Sequence, residues 1–174
     1  MNIDYWVTNS GSFIHQIFMI VMAGLYGLAY LLSVSYKAIN IYCYFVLFPL
    51  SLSAFFLKGW WKLLFIPVSL LFFLIPGFEI LSVKLFDICV DFLNYSAQIF
   101  SSNYIAMSVY ICVLVPILIY LPLIYFTTNR KAKKIVFGTA GALLLIYMIF
   151  IYPNFQEWLL NFRDNNSSLK IPLT

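Results

Sequence analysis

The chain has 174 residues, of which 64% are hydrophobic and 9% are charged, and its formal net charge is +4 at pH 7. Soluble domains typically contain ~45–50% apolar and ~25% charged residues, so this composition excludes an ordinary soluble domain. The charges cluster in short gaps between apolar runs of roughly 20 residues, the length that crosses ~30 Å of hydrocarbon. The sequence therefore predicts an all-α integral membrane protein whose single transmembrane domain covers residues 1–174.

Five apolar runs are predicted to form a bundle of kinked transmembrane helices. In chain order they cover residues 13–34, 38–57, 60–75, 104–126 and 135–152. The third run is the shortest and is closed by Pro76 and Gly77, and a re-entrant path for it would leave four spans. The Trp residues are Trp6, Trp60, Trp61 and Trp158. They fall at the ends of the predicted spans, where amphipathic rings prefer to sit in a membrane, which supports these boundaries.

Residues 78–100 differ from these spans because polar side chains interrupt the apolar ones at offsets of three and four. That spacing places the polar groups on one face of a helix. We call this face the polar stripe, and its members are Lys84, Asp87, Asp91, Asn94 and Gln98. The pattern predicts an amphipathic helix that lies in the membrane interface or re-enters the bilayer. A second, shorter apolar pattern predicts an interfacial tail helix over residues 154–163.

The polar stripe allows three interpretations. If the helix lies in the interface, its charged groups are solvated, and Lys84 and Asp87 are close enough to pair weakly. If copies of the helix pack around an axis, the stripe lines a polar conduit whose Asp residues favour cations. The third interpretation is an acid pair formed by Asp87 and Asp91, but the sequence offers no nucleophile or metal cluster beside them. We favour the solvated arrangement.

Four basic residues form a short run between the fourth and fifth predicted spans. They are Arg130, Lys131, Lys133 and Lys134. A basic run beside a spanning helix is typical of a cytoplasmic loop and of contact with anionic lipid headgroups. No basic face or nucleic-acid-binding fold accompanies the run, so nucleic acid is not an expected partner.

The distribution of Lys and Arg also predicts an orientation. With five spans, the positive-inside bias places the amino terminus and the basic run in the cytoplasm, and the amphipathic helix and the carboxyl terminus outside. With four spans the count is tied. The abundance of Ile, Phe, Tyr, Asn and Lys is typical of bacterial chains, so we expect a multi-pass protein of a bacterial inner membrane.

Prolines and small residues inside the predicted spans indicate how the helices bend and pack. The prolines in spans two to four are Pro49, Pro67, Pro116 and Pro122. Each removes a helix hydrogen bond and frees a carbonyl group, as occurs in channels and transporters and equally in inert bundles. The small residues four positions apart are Ala23 with Gly27 and Gly138 with Ala142. Because such pairs permit close helix approach, we expect oligomerisation.

The sequence offers little for catalysis. His15 is the only histidine, which excludes metal sites built on several His. Its position near the start of the first span favours a hydrogen bond at the interface or between helices over a proton-relay role. Cys43, Cys89 and Cys112 lie among apolar residues without C-x-x-C spacing, so we interpret them as small buried hydrophobic residues. No cofactor or metal is predicted.

These observations predict a non-enzymatic membrane protein that acts through helix contacts as an oligomer or an accessory subunit. Its expected partners are membrane lipids and either further copies of the chain or another membrane protein. Two alternatives stay open. One is an oligomeric pore, channel or membrane-permeabilising effector whose polar stripe lines the conduit, and the other is a lipid-modifying membrane enzyme.

Overall fold

The computed structural model describes residues 3–53, 55 and 64–166, and every regular element in this part of the chain is helical. The described elements are α1 (Ile3–Asn9), α2 (Phe13–Leu32), α3 (Tyr36–Ile41), the π-helical turn π1 (Tyr42–Leu47), α4 (Phe48–Ser53), α5 (Phe65–Leu70) with a 3-10 turn (Leu71–Leu74), α6 (Phe78–Ile99), α7 (Tyr104–Val109), π2 (Tyr110–Leu114), α8 (Val115–Thr127), α9 (Arg130–Ile146), π3 (Tyr147–Ile151) and α10 (Tyr152–Asn166). The chain divides into a first unit, Met1–Met19 with Thr128–Thr174, and a second unit, Ile20–Thr127. The predicted helical class is confirmed for the described residues.

Each π-helical turn lies directly before a proline. The turns π1, π2 and π3 end two residues before Pro49, Pro116 and Pro153, respectively. Proline has no backbone N–H, and its ring clashes with the carbonyl four residues back in a regular α-helix. In all three cases the residue before the proline donates instead to the carbonyl five residues back, which widens the turn. The helices therefore continue through these prolines.

The helices α2 and α6 end with the same backbone motif. Ser33 and Ser101, which follow the two helix ends, have left-handed φ angles of 53° and 48°. The amide after each serine donates to the carbonyl five residues back, over 3.1 Å after Ser33 and 2.8 Å after Ser101. This hydrogen bond satisfies a carbonyl at the helix end, and the left-handed position is the one that Gly usually occupies.

A sharp bend precedes α6. The segments Pro67–Leu74 and Phe78–Ile99 meet at an angle of 100°. Gly77, the residue that caps the start of α6, has a left-handed φ of 79°. This conformation costs an L-residue ~1–2 kcal/mol, so glycine is favoured here for a conformational reason. The bend allows α6 to run in a direction different from that of the segment before it.

The core of the second unit lies where α2, α3 and π1 meet. Its buried members are Leu25, Ala29, Ile39, Tyr42 and Val46. Two adjoining features extend it, the packing of α3 against α6 and a smaller cluster between α6 and α7. The smaller cluster consists of Leu93, Ala97 and Met107. Because α6 packs against α3 and α7 with one face, that face is buried and the other faces are exposed.

Among the described residues, three continuous helices are long and apolar enough to cross a membrane, namely Phe13–Leu32, Tyr104–Thr127 and Arg130–Asn161. If the bent pair Pro67–Leu74 and Phe78–Ile99 is counted as one span, these residues contain four candidate spans. About five spans were predicted. In the predicted second span residues 54, 56 and 57 lie outside the described residues, and in the third span residues 60–63 do. The described residues thus support three to four candidate spans.

The predicted fifth span, 135–152, and the predicted tail helix, 154–163, belong to one helix. Together α9, π3 and α10 run without a break from Arg130 to Asn166. Proline usually interrupts a helix, but π3 accommodates Pro153, which lies between the two predicted segments. The tail is therefore a direct extension of the last candidate span.

Candidate functional site

The polar stripe lies on an exposed face of α6. All five of its members, Lys84, Asp87, Asp91, Asn94 and Gln98, are exposed. The buried members of the packed face are Ser82, Leu93, Ser96 and Ala97. Within the second unit of a single chain the stripe therefore faces outward, away from the packed core. A conduit lined by the stripe would need helices from outside this unit.

Large apolar side chains form a second exposed arc beside the polar stripe. They are Leu81, Ile88, Phe92, Tyr95 and Ile99. These residues recur at offsets of three, four and seven, so they share one side of the helix. A polar arc next to an apolar arc suits a helix that lies at the boundary between water and hydrocarbon.

Asp87 is the one stripe residue with an ion pair among the described residues. Its Oδ1 lies 2.7 Å from Nζ of Lys37 on α3, and Lys37 also lies 5.6 Å from the centre of the Phe86 ring. The spacing had suggested Lys84 as the partner of Asp87. The side chains of Lys37 and Asp87 are 40% and 58% exposed, so the pair contributes only ~0–1 kcal/mol.

A second polar contact joins the first turn of α6 to the start of α3. The backbone N–H of Ser35 donates to Oε1 of Glu79 over 3.3 Å, and the Ser35 hydroxyl accepts from the N–H of Ala38 over 3.2 Å. The Glu79 carboxylate also lies near the N-terminus of α6, where negative charge is favoured. Both polar contacts therefore hold the α6 face next to the stripe against α3.

The four basic residues occupy the first turns of α9. Arg130, Lys131 and Lys134 are exposed and Lys133 is half-buried. Asn129 caps the helix by accepting from the N–H of Ala132 over 2.8 Å. Cations at a helix N-terminus oppose the helix dipole by ~0.3–1 kcal/mol each. An anionic group bound here would therefore interact favourably with both the side chains and the dipole.

The small residues lie on open helix surfaces. Ala23, Gly27, Gly138 and Ala142 are all exposed. A Cβ atom added to Gly27 or to Gly138 would meet no other atom within 4 Å. The described part of the chain therefore does not use either glycine for a close helix contact, and both surfaces stay available to another molecule.

The predicted kinks differ from one another in structure. Pro49 and Pro116 follow π-helical turns, and Pro122 lies inside α8. Pro67 lies in the first turn of α5, where the missing N–H leaves no internal hydrogen bond unmade. The described residues thus give Pro67 no kinking role. The third proline with a π-helical turn, Pro153, was missed because it lies one residue beyond the predicted span.

A buried amide at the centre of the first unit was not recognised in the sequence. Gln16 is 1% exposed, and its Nε2 donates to the carbonyls of Ser10 at 2.7 Å and Tyr152 at 3.2 Å. Its Oε1 accepts from the hydroxyl of Tyr147 at 2.7 Å. A buried polar group must be paired in this way to be tolerated. The only sequence signal was a lone glutamine within an apolar run.

An open apolar cavity of about 630 Å³ was also missed. It lies in the second unit between two sets of helices, π1 with α4 and π2 with α8. Its lining residues are Leu28, Leu32, Tyr42, Cys43, Tyr44, Leu47, Phe48, Ser51, Leu70, Cys112, Pro116 and Tyr120. Because both walls contain a widened π-helical turn, no apolar periodicity in the sequence could have located this space.

The cysteines and the histidine are the residues considered for redox or metal chemistry. The three cysteines are free and partly buried, and His15 is half-buried on α2. Within the described ranges no three His, Cys, Asp or Glu side chains come together where they could hold a metal ion. The candidate sites of the described residues are therefore the exposed surfaces and the apolar cavity.

Comparisons with known proteins add no family to these observations. No family model matches the chain, and no curated protein or solved structure matches it. Function must therefore be inferred from the side chains and helices of this chain alone.

Proposed function

We propose that this chain is a non-enzymatic, multi-pass protein of a bacterial inner membrane, acting through helix contacts as an oligomer or an accessory subunit. The candidate spans and the many exposed large apolar side chains support its insertion in a bilayer. In this arrangement α6 lies in the interface or re-enters the bilayer. The basic residues of α9 lie on the cytoplasmic side, near anionic headgroups.

One observation carries this proposal. The helix Arg130–Asn161 is 32 residues long, and none of its most apolar stretch is buried within the first unit. Lipid or other helices must cover this surface, because exposing it to water is costly. The same helix carries Gly138 and Ala142 on an open surface, which would let a second helix approach closely.

The first test is extraction of membranes that contain the protein. Alkaline carbonate releases peripheral proteins and leaves inserted ones in the pellet. We expect the full chain to stay in the pellet and to be released only by detergent. Recovery in the soluble fraction, dispersed and helical, would overturn membrane insertion.

The second test is cysteine crosslinking across the proposed helix contact. In a background in which Cys43, Cys89 and Cys112 are replaced by Ser, Gly138→Cys should form a crosslinked dimer in native membranes. Leu143→Cys, on the opposite side of the same helix, is the matched control and should not crosslink. Equal crosslinking of both variants, or of neither, would contradict a specific contact through Gly138.

The proposed orientation, with five spans, a cytoplasmic amino terminus and the carboxyl terminus outside, has its own test. A reporter that folds only in the cytoplasm should be inactive when it is fused after Thr174. A reporter that folds only outside should be active at the same position. The opposite pattern would contradict the five-span topology, in which the amino terminus is cytoplasmic, without contradicting insertion.

A second candidate function is an oligomeric pore. The exposed Asp87 and Asp91 on the open face of α6 favour it, because several copies around an axis would present a ring of carboxylates. In liposomes, the pore predicts cation flux that disappears when Asp87 and Asp91 are both changed to Leu. Glu157→Leu, an exposed acidic residue on α10, is the control and should leave flux unchanged. Absence of flux in the unaltered protein would exclude the pore.

A further inference from the structure

The cavity of the second unit has the size of a ligand site. Its volume of about 630 Å³ falls within the ~300–1,000 Å³ typical of pockets that hold small molecules. One hydrogen-bonded contact, Ser51 with Tyr120, joins the π1–α4 wall to the π2–α8 wall. Tyr44 and Cys112 line the space from the two walls, and this space is open to the exterior.

Three hydroxyl groups of the cavity wall, those of Tyr42, Ser51 and Tyr120, are hydrogen-bonded. The Ser51 hydroxyl donates to the carbonyl of Phe48 over 2.7 Å, so it accepts the hydrogen bond from Tyr120. The Tyr42 hydroxyl is bonded to that of Ser69 over 2.7 Å. The lining residues are all uncharged, and most of the lining surface is hydrocarbon. Ordered water needs two to four polar partners, and a lining with so little exposed polar surface is poorly suited to hold it.

The cavity is continuous with the outer surface of a candidate span. Cys112, Pro116 and Tyr120 lie four residues apart along Tyr104–Thr127, of which only 6% of the most apolar stretch is buried. The other sides of this helix expose Leu118 and Leu121. A hydrocarbon chain in contact with that surface can therefore enter the cavity without crossing water or a charged group.

We propose that the cavity is a binding site for one acyl chain of a bilayer phospholipid, which enters it sideways from the membrane. The inference rests on the proposed membrane insertion. The neutral apolar wall selects hydrocarbon over any charged or strongly polar molecule, and each of its two sides contains a π-helical turn, one before Pro49 and one before Pro116. The bound chain would fill the space between the two walls and hold them at their observed separation.

Photolabelling in liposomes tests the site. The probe is a trace of phosphatidylcholine that carries a diazirine in one acyl chain, within unlabelled phosphatidylcholine, and labelled positions are mapped by mass spectrometry. We expect labels on the inward-facing residues Tyr44, Leu47 and Cys112 of the full-length protein. Labelling that follows exposure alone, with outward Leu118 marked and Cys112 not, would overturn the proposal.

Two variants test whether the labelling depends on space in the cavity. Cys112→Phe places a larger side chain in the cavity, and we expect labelling at Tyr44 and Leu47 to fall about tenfold, equivalent to ~1.4 kcal/mol of binding free energy. Leu118→Phe adds the same ring to the outward side of the helix and should leave that labelling unchanged. Equal labelling of both variants would contradict the site. If Cys112→Phe does not fold, the label positions in the unaltered protein decide.

Membrane extraction separates this inference from the proposed function. A protein released by carbonate would refute insertion, and with it the lipid site. A protein retained in the membrane but labelled only on its outward residues would refute the lipid site alone. Label in the cavity of a retained protein supports both.

Discussion

The centres of the two units are built by different interactions. In the first unit a buried amide, Gln16, is hydrogen-bonded to two carbonyls and one hydroxyl. In the second unit the centre is a cluster of apolar and aromatic side chains around the fully buried Ile39. In hydrocarbon, exchanging lipid for protein contacts gains little, so an apolar cluster depends on shape whereas a polar contact depends on a specific partner. The second unit should therefore be sensitive to lost volume and the first to lost pairing.

The largest expected effect concerns the apolar cluster. Ile39→Ala leaves a cavity where the side chain was 0% exposed, and we expect it to lower the free energy of unfolding by ~2–5 kcal/mol. Reversible unfolding in mixed detergent micelles measures this change. Ile80→Ala removes the same atoms from a side chain that is 69% exposed, and it should change stability by less than ~0.5 kcal/mol. Similar losses for both variants would show that the cluster is not the core of the second unit.

The next effect concerns the buried amide of the first unit. Gln16→Leu keeps the approximate volume but leaves the Tyr147 hydroxyl and two carbonyls without their partner, which should cost ~1–3 kcal/mol. Tyr147→Phe removes only one hydrogen bond and should cost ~0.6 kcal/mol. The double variant should lose less than the sum, because both changes break the same bond. Strict additivity would mean that the two side chains do not interact.

Backbone conformation provides an intermediate effect in the second unit. Gly77→Ala forces an L-residue into a left-handed φ of 79°, so we expect a loss of ~1–2 kcal/mol although its new methyl group meets no atom. Ser101→Gly relieves the same strain at a φ of 48° and should raise the free energy of unfolding. Unfolding of the two variants in the same detergent checks the opposite signs. A neutral Gly77→Ala would mean that the bend does not need this conformation.

The smallest effect is expected for the exposed ion pair of the second unit. Asp87→Asn removes the carboxylate that Lys37 contacts at 2.7 Å, and it should change stability by ~0–1 kcal/mol because both side chains are exposed. Any loss should shrink as salt is added, since exposed charges are screened. A loss as large as that of Gln16→Leu, persisting at high salt, would place this pair in a buried environment. That result would also remove the contrast between a buried and an exposed polar contact.

Much of the local structure could be predicted from the sequence. Apolar run length and charge placement identified the helical class and the segments around α2, α8 and α9, because the hydrocarbon thickness imposes a length on any helix that crosses it. The offsets of three and four identified α6 and its polar stripe, because helix periodicity is a local property. The end of the third predicted run at Pro76 and Gly77 also followed from the backbone preferences of these two residues.

Contacts between distant segments were decided only by the tertiary structure. Asp87 pairs with Lys37, fifty positions away, and Gln16 receives its hydrogen bond from Tyr147, more than a hundred positions away. Neither partner could be chosen from spacing, because each segment contains several polar residues of suitable chemistry. The cavity likewise arises from the way in which helices that are distant in the sequence pack. Length, composition and periodicity act within one segment, whereas pairing and cavity shape arise only when segments pack.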